Sequence, residues 1–151
     1  MISVYLIGSL RNPKISELAI RLRQHGFDVF DDWSSPGPET DEYWQKYEKQ
    51  RGRSYAEALQ GYHAKEVFDF DKQHLDRCDV AVLVLPAGKS GHLELGYIVG
   101  KGKPGFILLE DKEPERYDIM YLFATGIFIS EDDMVTKLKE ISDGKHSFTY
   151  E

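Results

Sequence analysis

The chain has 151 residues, 41% of them apolar, with a formal net charge of −7 and a pI near 5.2. That length favours one domain with its own core. The acidity argues against a nucleic-acid polymer as partner, and no stretch approaches the roughly 18 apolar residues of a membrane helix. A small nucleotide stays compatible, because a few local donors outweigh global charge at one pocket. Cys78 is the sole cysteine, so no internal disulfide can form and a reducing, cytoplasmic compartment is expected. The chain opens directly on a strand, without a signal-peptide pattern.

Ser3 to Ile7 is an apolar run closed by Gly8, which predicts a first, buried strand. Ile15, Leu18, Ala19 and Leu22 recur at i, i+3, i+4 and i+7, an amphipathic helix with Gly26 as its stop. Phe27 to Asp31 reads as a second strand, so the first crossover is parallel and right-handed. Ser34-Ser35-Pro36-Gly37-Pro38 is a loop by its turn chemistry. Glu42 to Lys49 carries Tyr43, Trp44 and Tyr47 at helical spacing, and Arg51-Gly52-Arg53 breaks it. Tyr55 to about Leu75 predicts a longer helix interrupted at Gly61. Asp79 to Leu85 is a third strand, Leu93 to Val99 a helix, and Phe106 to Leu109 a fourth strand. After the charged loop from Asp111 to Arg116, Ile119 to Phe123 is a helical turn and Ile127 to Ile129 a fifth strand. Glu131 to Ile141 closes as a helix, with a loose tail expected from Ser142. The pattern predicts an α/β fold: a doubly wound, mainly parallel five-stranded sheet with helices on both faces, of the Rossmann or flavodoxin-like kind.

The carboxyl edge of such a sheet is where ligands bind. Val80 to Leu85 runs there into Pro86-Ala87-Gly88-Lys89-Ser90-Gly91, and the next helix carries Glu94 between apolar neighbours. With a helix start at Ser90 or Gly91, Glu94 falls in the first turn. There it is a solvated charge suited to the helix dipole or an ionised carboxylate aimed into a pocket. Asp71 shares a stripe with Ala64, Val67, Phe68 and Leu75, where an unpaired charge is expensive. Such an acid either meets a partner or serves a site; a rotated, solvated helix is the bland reading. Gly8, Ser9 and Arg11 form a polar loop after the first strand that suits an anion, with Gly88 and Ser90 facing it. The Walker pattern GxxxxGK[ST] is absent. Tyr5 lies near the end of strand one, as a core aromatic or a positioning group. Asp32 and Trp33 end strand two at the same edge, where Trp33 either stacks on a base or packs on its own domain. His25, His63, His74, His92 and His146 show no ligand spacing, so neither a metal nor another cofactor is expected. No GxSxG elbow is present.

These residues resemble the nucleoside 2-deoxyribosyltransferase superfamily, which includes the 2′-deoxynucleoside 5′-phosphate N-hydrolases. The likeness rests on Tyr5-Leu6-Ile7-Gly8-Ser9-Leu10-Arg11, on Asp71 followed by Leu75 and Asp79, and on Ser90-Gly91-His92-Leu93-Glu94-Leu95-Gly96-Tyr97, continued by Gly102-Lys103-Pro104. It spans most of the chain, taken as one such domain over residues 1–151. Residues 34–63 do not match the small hydrolases and read as an insert, a lid candidate.

The resemblance implies cleavage of the N-glycosidic bond of a nucleoside or its 5′-monophosphate. Glu94 would attack C1′, Asp71 would help the leaving base, and Tyr5 would orient the nucleophile. Two carboxylates roughly 5 Å apart and a glycosyl-enzyme intermediate are the matching chemistry. Water completes a hydrolase and a second base completes a transferase. Gly8, Ser9, Arg11, Gly88 and Ser90 correspond to the sugar-phosphate grip, although Gly88 stands where Ser is frequent. Asp118 corresponds to a position that reaches a neighbouring subunit's sugar, which implies a homodimer or larger homo-oligomer; an amide or hydroxyl is the usual group there. Two rivals remain at this stage. A lysine-decarboxylase-like phosphoribohydrolase carries a PGGxGTxxE signature, whose paired glycines Pro86-Ala87-Gly88-Lys89-Ser90 lacks. A nucleotide-sensing module would bind without turnover.

Overall fold

Alternation along the first strand divides the molecule into two layers. In the computed structural model, which describes residues 1–109 and 111–147, β1 (Ser3–Ile7) sends Val4 and Leu6 to one side and Tyr5 and Ile7 to the other. The remaining strands are β2 (Asp28–Phe30), β3 (Val80–Val84), β4 (Gly105–Leu108) and β5 (Gly126–Phe128). All pair in parallel, in the order β2-β1-β3-β4-β5. This is a doubly wound order, and it reverses direction at β1, between β2 and β3.

Helix α1 (Lys14–Gln24) and α6 (Glu131–Ser147) cover one face. Ile15, Leu18 and Leu22 of α1 and Met134, Val135 and Leu138 of α6 meet Val4, Leu6, Val80, Val82 and Phe106 in one core. On the other face lie α4 (Tyr62–Arg77) and α5 (Lys89–Gly100). There Leu75, Leu95 and Ile98 pack on Tyr5, Ile7, Ala81, Leu83 and Ile107. Asp79 accepts the Ser3 amide at 2.8 Å and ties β3 to the start of β1.

Residues 34–63 form α2 (Thr40–Gln50) and α3 (Tyr55–Leu59). Glu48 is buried between Arg51 and Arg53, each at 3.6 Å. The interruption at Gly61 is real: α3 ends at Leu59 and Gly61 caps α4. A Cβ there would stand 2.9 Å from the Arg53 guanidinium and 3.1 Å from the Ala58 carbonyl, so only glycine fits without a shift.

Three expectations need correction. Helix α5 starts at Lys89 rather than Leu93, because the backbone is already helical through Ser90 and Gly91. Helix α6 runs through Ser142 to Ser147 rather than loosening at Ser142; residues 148–151 of the expected tail lie outside the described residues. The stripe on α4 is buried only toward its C-terminal end, at Leu75, whereas Val67 and Phe68 are exposed. Sixteen helical residues span about 24 Å and a five-residue strand about 17 Å, so α4 overruns the sheet it packs on.

Candidate active site

Three side chains from three elements converge on the α4/α5 side near the carboxyl edge. Tyr5 comes from β1, Asp71 from the middle of α4 and Glu94 from α5. Glycine and leucine spacing on α5 sets the position of Glu94. Gly91 is buried, and a Cβ there would lie 2.9 Å from Leu83 and 3.1 Å from Ile7, so the first turn of α5 rests directly on β3 and β1. Leu95 and Ile98 continue that buried face, and Glu94 lies beside it, half-buried.

Glu94 is the sixth residue of α5, in its second turn, not the first as expected. The N-terminal dipole acts mainly on the first turn, and it loses here. Burial pushes the Glu94 carboxyl up to about 7, with the neighbouring Asp71 charge adding to the rise. Asp71 is pushed up to about 6 by burial, partly offset by His74. Tyr5 is raised beyond the ordinary phenol range by burial, then by Glu94 and Asp71, so it stays a neutral O–H. Tyr5 thus feels both acids, and Glu94 feels Asp71. Between about 6 and 7 the two carboxyls together hold roughly one proton, carried mainly by Glu94.

An aromatic stack links Tyr5 of β1 to α4. Tyr5 tilts on Phe30 at 5.0 Å, Phe30 stacks on His74 at 4.0 Å, and Phe70 tilts on His74 at 4.6 Å. The His74 Nδ1–H donates to the Phe70 carbonyl at 2.9 Å, which fixes the ring. A second tie holds the start of α5. His92 Nδ1–H donates to the Gly88 carbonyl at 2.7 Å, and its Nε2 accepts from the Tyr121 hydroxyl at 2.9 Å. Sequence reading missed these supports. The His74 and Phe70 spacing of four on one helix was the available signal for the first; the Phe30 and Tyr121 contacts left none.

The loop after β1 is locked by its own polar groups. Ser9 Oγ accepts the Arg11 amide at 3.1 Å, and Asn12 Oδ1 accepts the Lys14 amide at 3.1 Å. Gly8 packs so closely on Ile15 that a Cβ would stand 2.6 Å from it. The Arg11 side chain points at the insert. Its Nη2 donates to both Asp41 oxygens, at 3.0 and 3.2 Å, and to Glu42 at 3.0 Å. Ser90 is exposed in the first turn of α5, and Gly88 precedes it. Asp32 is exposed at the start of a 3-10 turn, Asp32–Ser34. Trp33 packs on its own domain: its Nε1 donates to the Leu6 carbonyl at 2.7 Å and its ring touches both cores. Asp118 is exposed and caps the 3-10 turn Ile119–Phe123 by accepting the Met120 amide at 2.8 Å. A separate cavity of about 150 Å³, bordered by Lys14, Leu85, Leu109 and Glu131, is lined by none of the expected site residues.

Fold and site define a doubly wound α/β protein with two half-buried carboxyls, Asp71 and Glu94, on the α4/α5 side of its sheet. Solved structures share this fold. One is of a 2-deoxyribosyltransferase from Bacillus psychrosaccharolyticus, with a TM-score of 0.59 and 18% identity over 88% of this chain and 90% of the other. Another is of the CMP N-glycosidase BcmB from Clostridium botulinum, with a TM-score of 0.51 and 19% identity over 91% of this chain and 98% of the other. No protein-family model matches the chain, and no curated protein matches it by sequence.

Proposed function

We propose that this protein cleaves the N-glycosidic bond of a (2′-deoxy)nucleoside or its 5′-monophosphate, and that it belongs with the nucleoside 2-deoxyribosyltransferases. The observation that carries the reading is the placement of Asp71 and Glu94 around the buried Tyr5, where the Asp71 charge raises Glu94 and both acids raise Tyr5. The names of the two structural neighbours, a 2-deoxyribosyltransferase and a CMP N-glycosidase, support it.

In this reading the reactive form is the one that carries the pair's single proton on Asp71, and the ionised Glu94 attacks C1′ as the C1′–N bond breaks. The bond's electron pair goes to the base nitrogen, which takes the proton from Asp71. Water or a second base then attacks C1′, gives its proton to the Asp71 carboxylate and releases Glu94. Tyr5, kept neutral, donates to the Glu94 carboxylate and aims it. Ser9, Ser90 and the amides near Gly8 and Gly88 hold the sugar end, Arg11 borders it, and Asp32 closes the base side.

The test is chromatography of free base from a panel of nucleosides and 5′-monophosphates, with and without a second base. Base release that disappears in Glu94→Gln supports the reading. Ligand binding with no release from any substrate would favour a sensing module and sink the enzyme.

A homodimer or larger assembly is part of the proposal. Tyr62, Val67 and Phe68 on α4 and Ile119, Leu122 and Phe123 on the 3-10 turn are exposed apolar side chains, more than scattered surface residues require. Asp118 beside the second group would then reach a partner's sugar. Light scattering at the mass of one chain would remove that part.

A further inference from the structure

Arg11 is the one cation that the loop after β1 offers to a phosphorylated sugar, and the insert has already taken it. Asp41 and Glu42 are the second and third residues of α2. Acids there suit the positive helix end. Asp41 Oδ1 also accepts the Glu42 amide at 3.0 Å, and Thr40 Oγ1 donates to the Gly37 carbonyl at 2.9 Å, so the start of α2 is fixed before Arg11 arrives. Three oxygens then lie within 3.0–3.2 Å of a single guanidinium nitrogen. One positive charge faces two negative ones, and the cluster carries a net −1. All three side chains are at least half exposed, so the pairs themselves add little stability. Their consequence is for what can approach.

Resting on the N-glycosidic reading above, we infer that Asp41 and Glu42 act as a built-in anion on Arg11, beside the loop that this reading gives to the sugar end, and select an unphosphorylated nucleoside over its 5′-monophosphate. A 5′-phosphate carries a charge of about −1.5 to −2 at neutral pH. It meets an arginine already neutralised and two carboxylates that repel it, and like charges at close range are a strong rejecting device. A 5′-hydroxyl brings no charge and needs only the neutral donors nearby, such as Ser9 and Ser90. The discrimination weakens with added salt, because the cluster is exposed.

The probes are the four common 2′-deoxynucleosides, their 5′-monophosphates and inorganic phosphate. In the native protein kcat/KM favours the nucleoside, and the Arg11 Nε–H resonance stays put as monophosphate or inorganic phosphate is added. In the double variant Asp41→Asn, Glu42→Gln the monophosphate-to-nucleoside ratio of kcat/KM rises at least about tenfold, and the Arg11 resonance moves with either phosphate probe. Adding Arg11→Ala to that variant erases the gain. A native preference for monophosphates, a native Arg11 resonance that follows them, or a double variant with an unchanged ratio and resonance overturns the inference. Absence of base release from every substrate removes the enzymatic reading instead. The Arg11 resonance then still decides whether the acids exclude phosphate.

Discussion

On the α1/α6 side of the sheet, Val4, Leu6, Val80, Val82 and Phe106 meet apolar side chains of two helices. On the α4/α5 side the same strands present Tyr5 within the packed set, Cys78 joins it from the end of α4, and two carboxyls lie at its border with their protons held well above the ordinary range. One face is arranged for cohesion. The other bears a desolvation cost at the place where chemistry is proposed, as strained or buried polar groups at functional sites generally do. The two faces should therefore answer mutation in opposite ways.

The largest expected effect is on the α4/α5 side. Glu94→Gln should lower kcat by about 10³- to 10⁴-fold with the fold retained, read by base release beside a circular-dichroism melt. A variant with near-native turnover would break the comparison at its centre. The mirror experiment is Phe106→Ala on the α1/α6 side, expected to cost about 3–5 kcal/mol in urea unfolding. The same variant should leave the apparent pKa of Glu94 where it is.

The next effect is smaller and opposite in sign. Folding raises Glu94 from an ordinary 4.5 to about 7, so the folded state binds its proton more tightly than the unfolded chain. Below about pH 4.5 both states hold the proton and burial costs nothing; as pH climbs to about 7 the stability falls. Glu94→Gln should thus stabilise the protein above pH 7 by on the order of 2 kcal/mol and change it little below pH 4.5. Parallel unfolding curves at the two pH values check the sign.

Tyr5→Phe, which removes one buried hydroxyl and keeps the ring against Phe30, should slow turnover about tenfold and barely move the melting temperature. The finest probe is the pH profile. The singly protonated pair is richest between about 6 and 7, so kcat/KM should peak there. Asp71→Asn removes a negative neighbour and should move the Glu94 limb to lower pH. An unmoved limb would mean that the two acids do not sense each other.

Much of this layout was legible beforehand. The apolar runs at Ser3–Ile7 and Val80–Leu85, the i, i+3, i+4 spacing of α1, and the break at Gly61 all report local preferences that survive folding. Glu94 and Asp71 stood out because charge beside an apolar stripe is costly wherever the helix lands. The start of α5 was less legible. Lys89, Ser90 and Gly91 look like turn residues, yet Gly91 is where a helix must touch the sheet. Trp33 was ambiguous by sequence and was resolved by its bond to the Leu6 carbonyl, a contact 27 residues away.

The sequence alone determined the alternation of strands and helices, the parallel doubly wound class and the candidate acids, since hydrophobic period and turn chemistry act between near neighbours. Only the tertiary structure decided that Glu94 sits in the second turn with a raised proton affinity, and that Arg11 is held by acids 30 and 31 residues further on. Desolvation and ion pairing depend on which segments the folded chain brings together, and no local pattern encodes that.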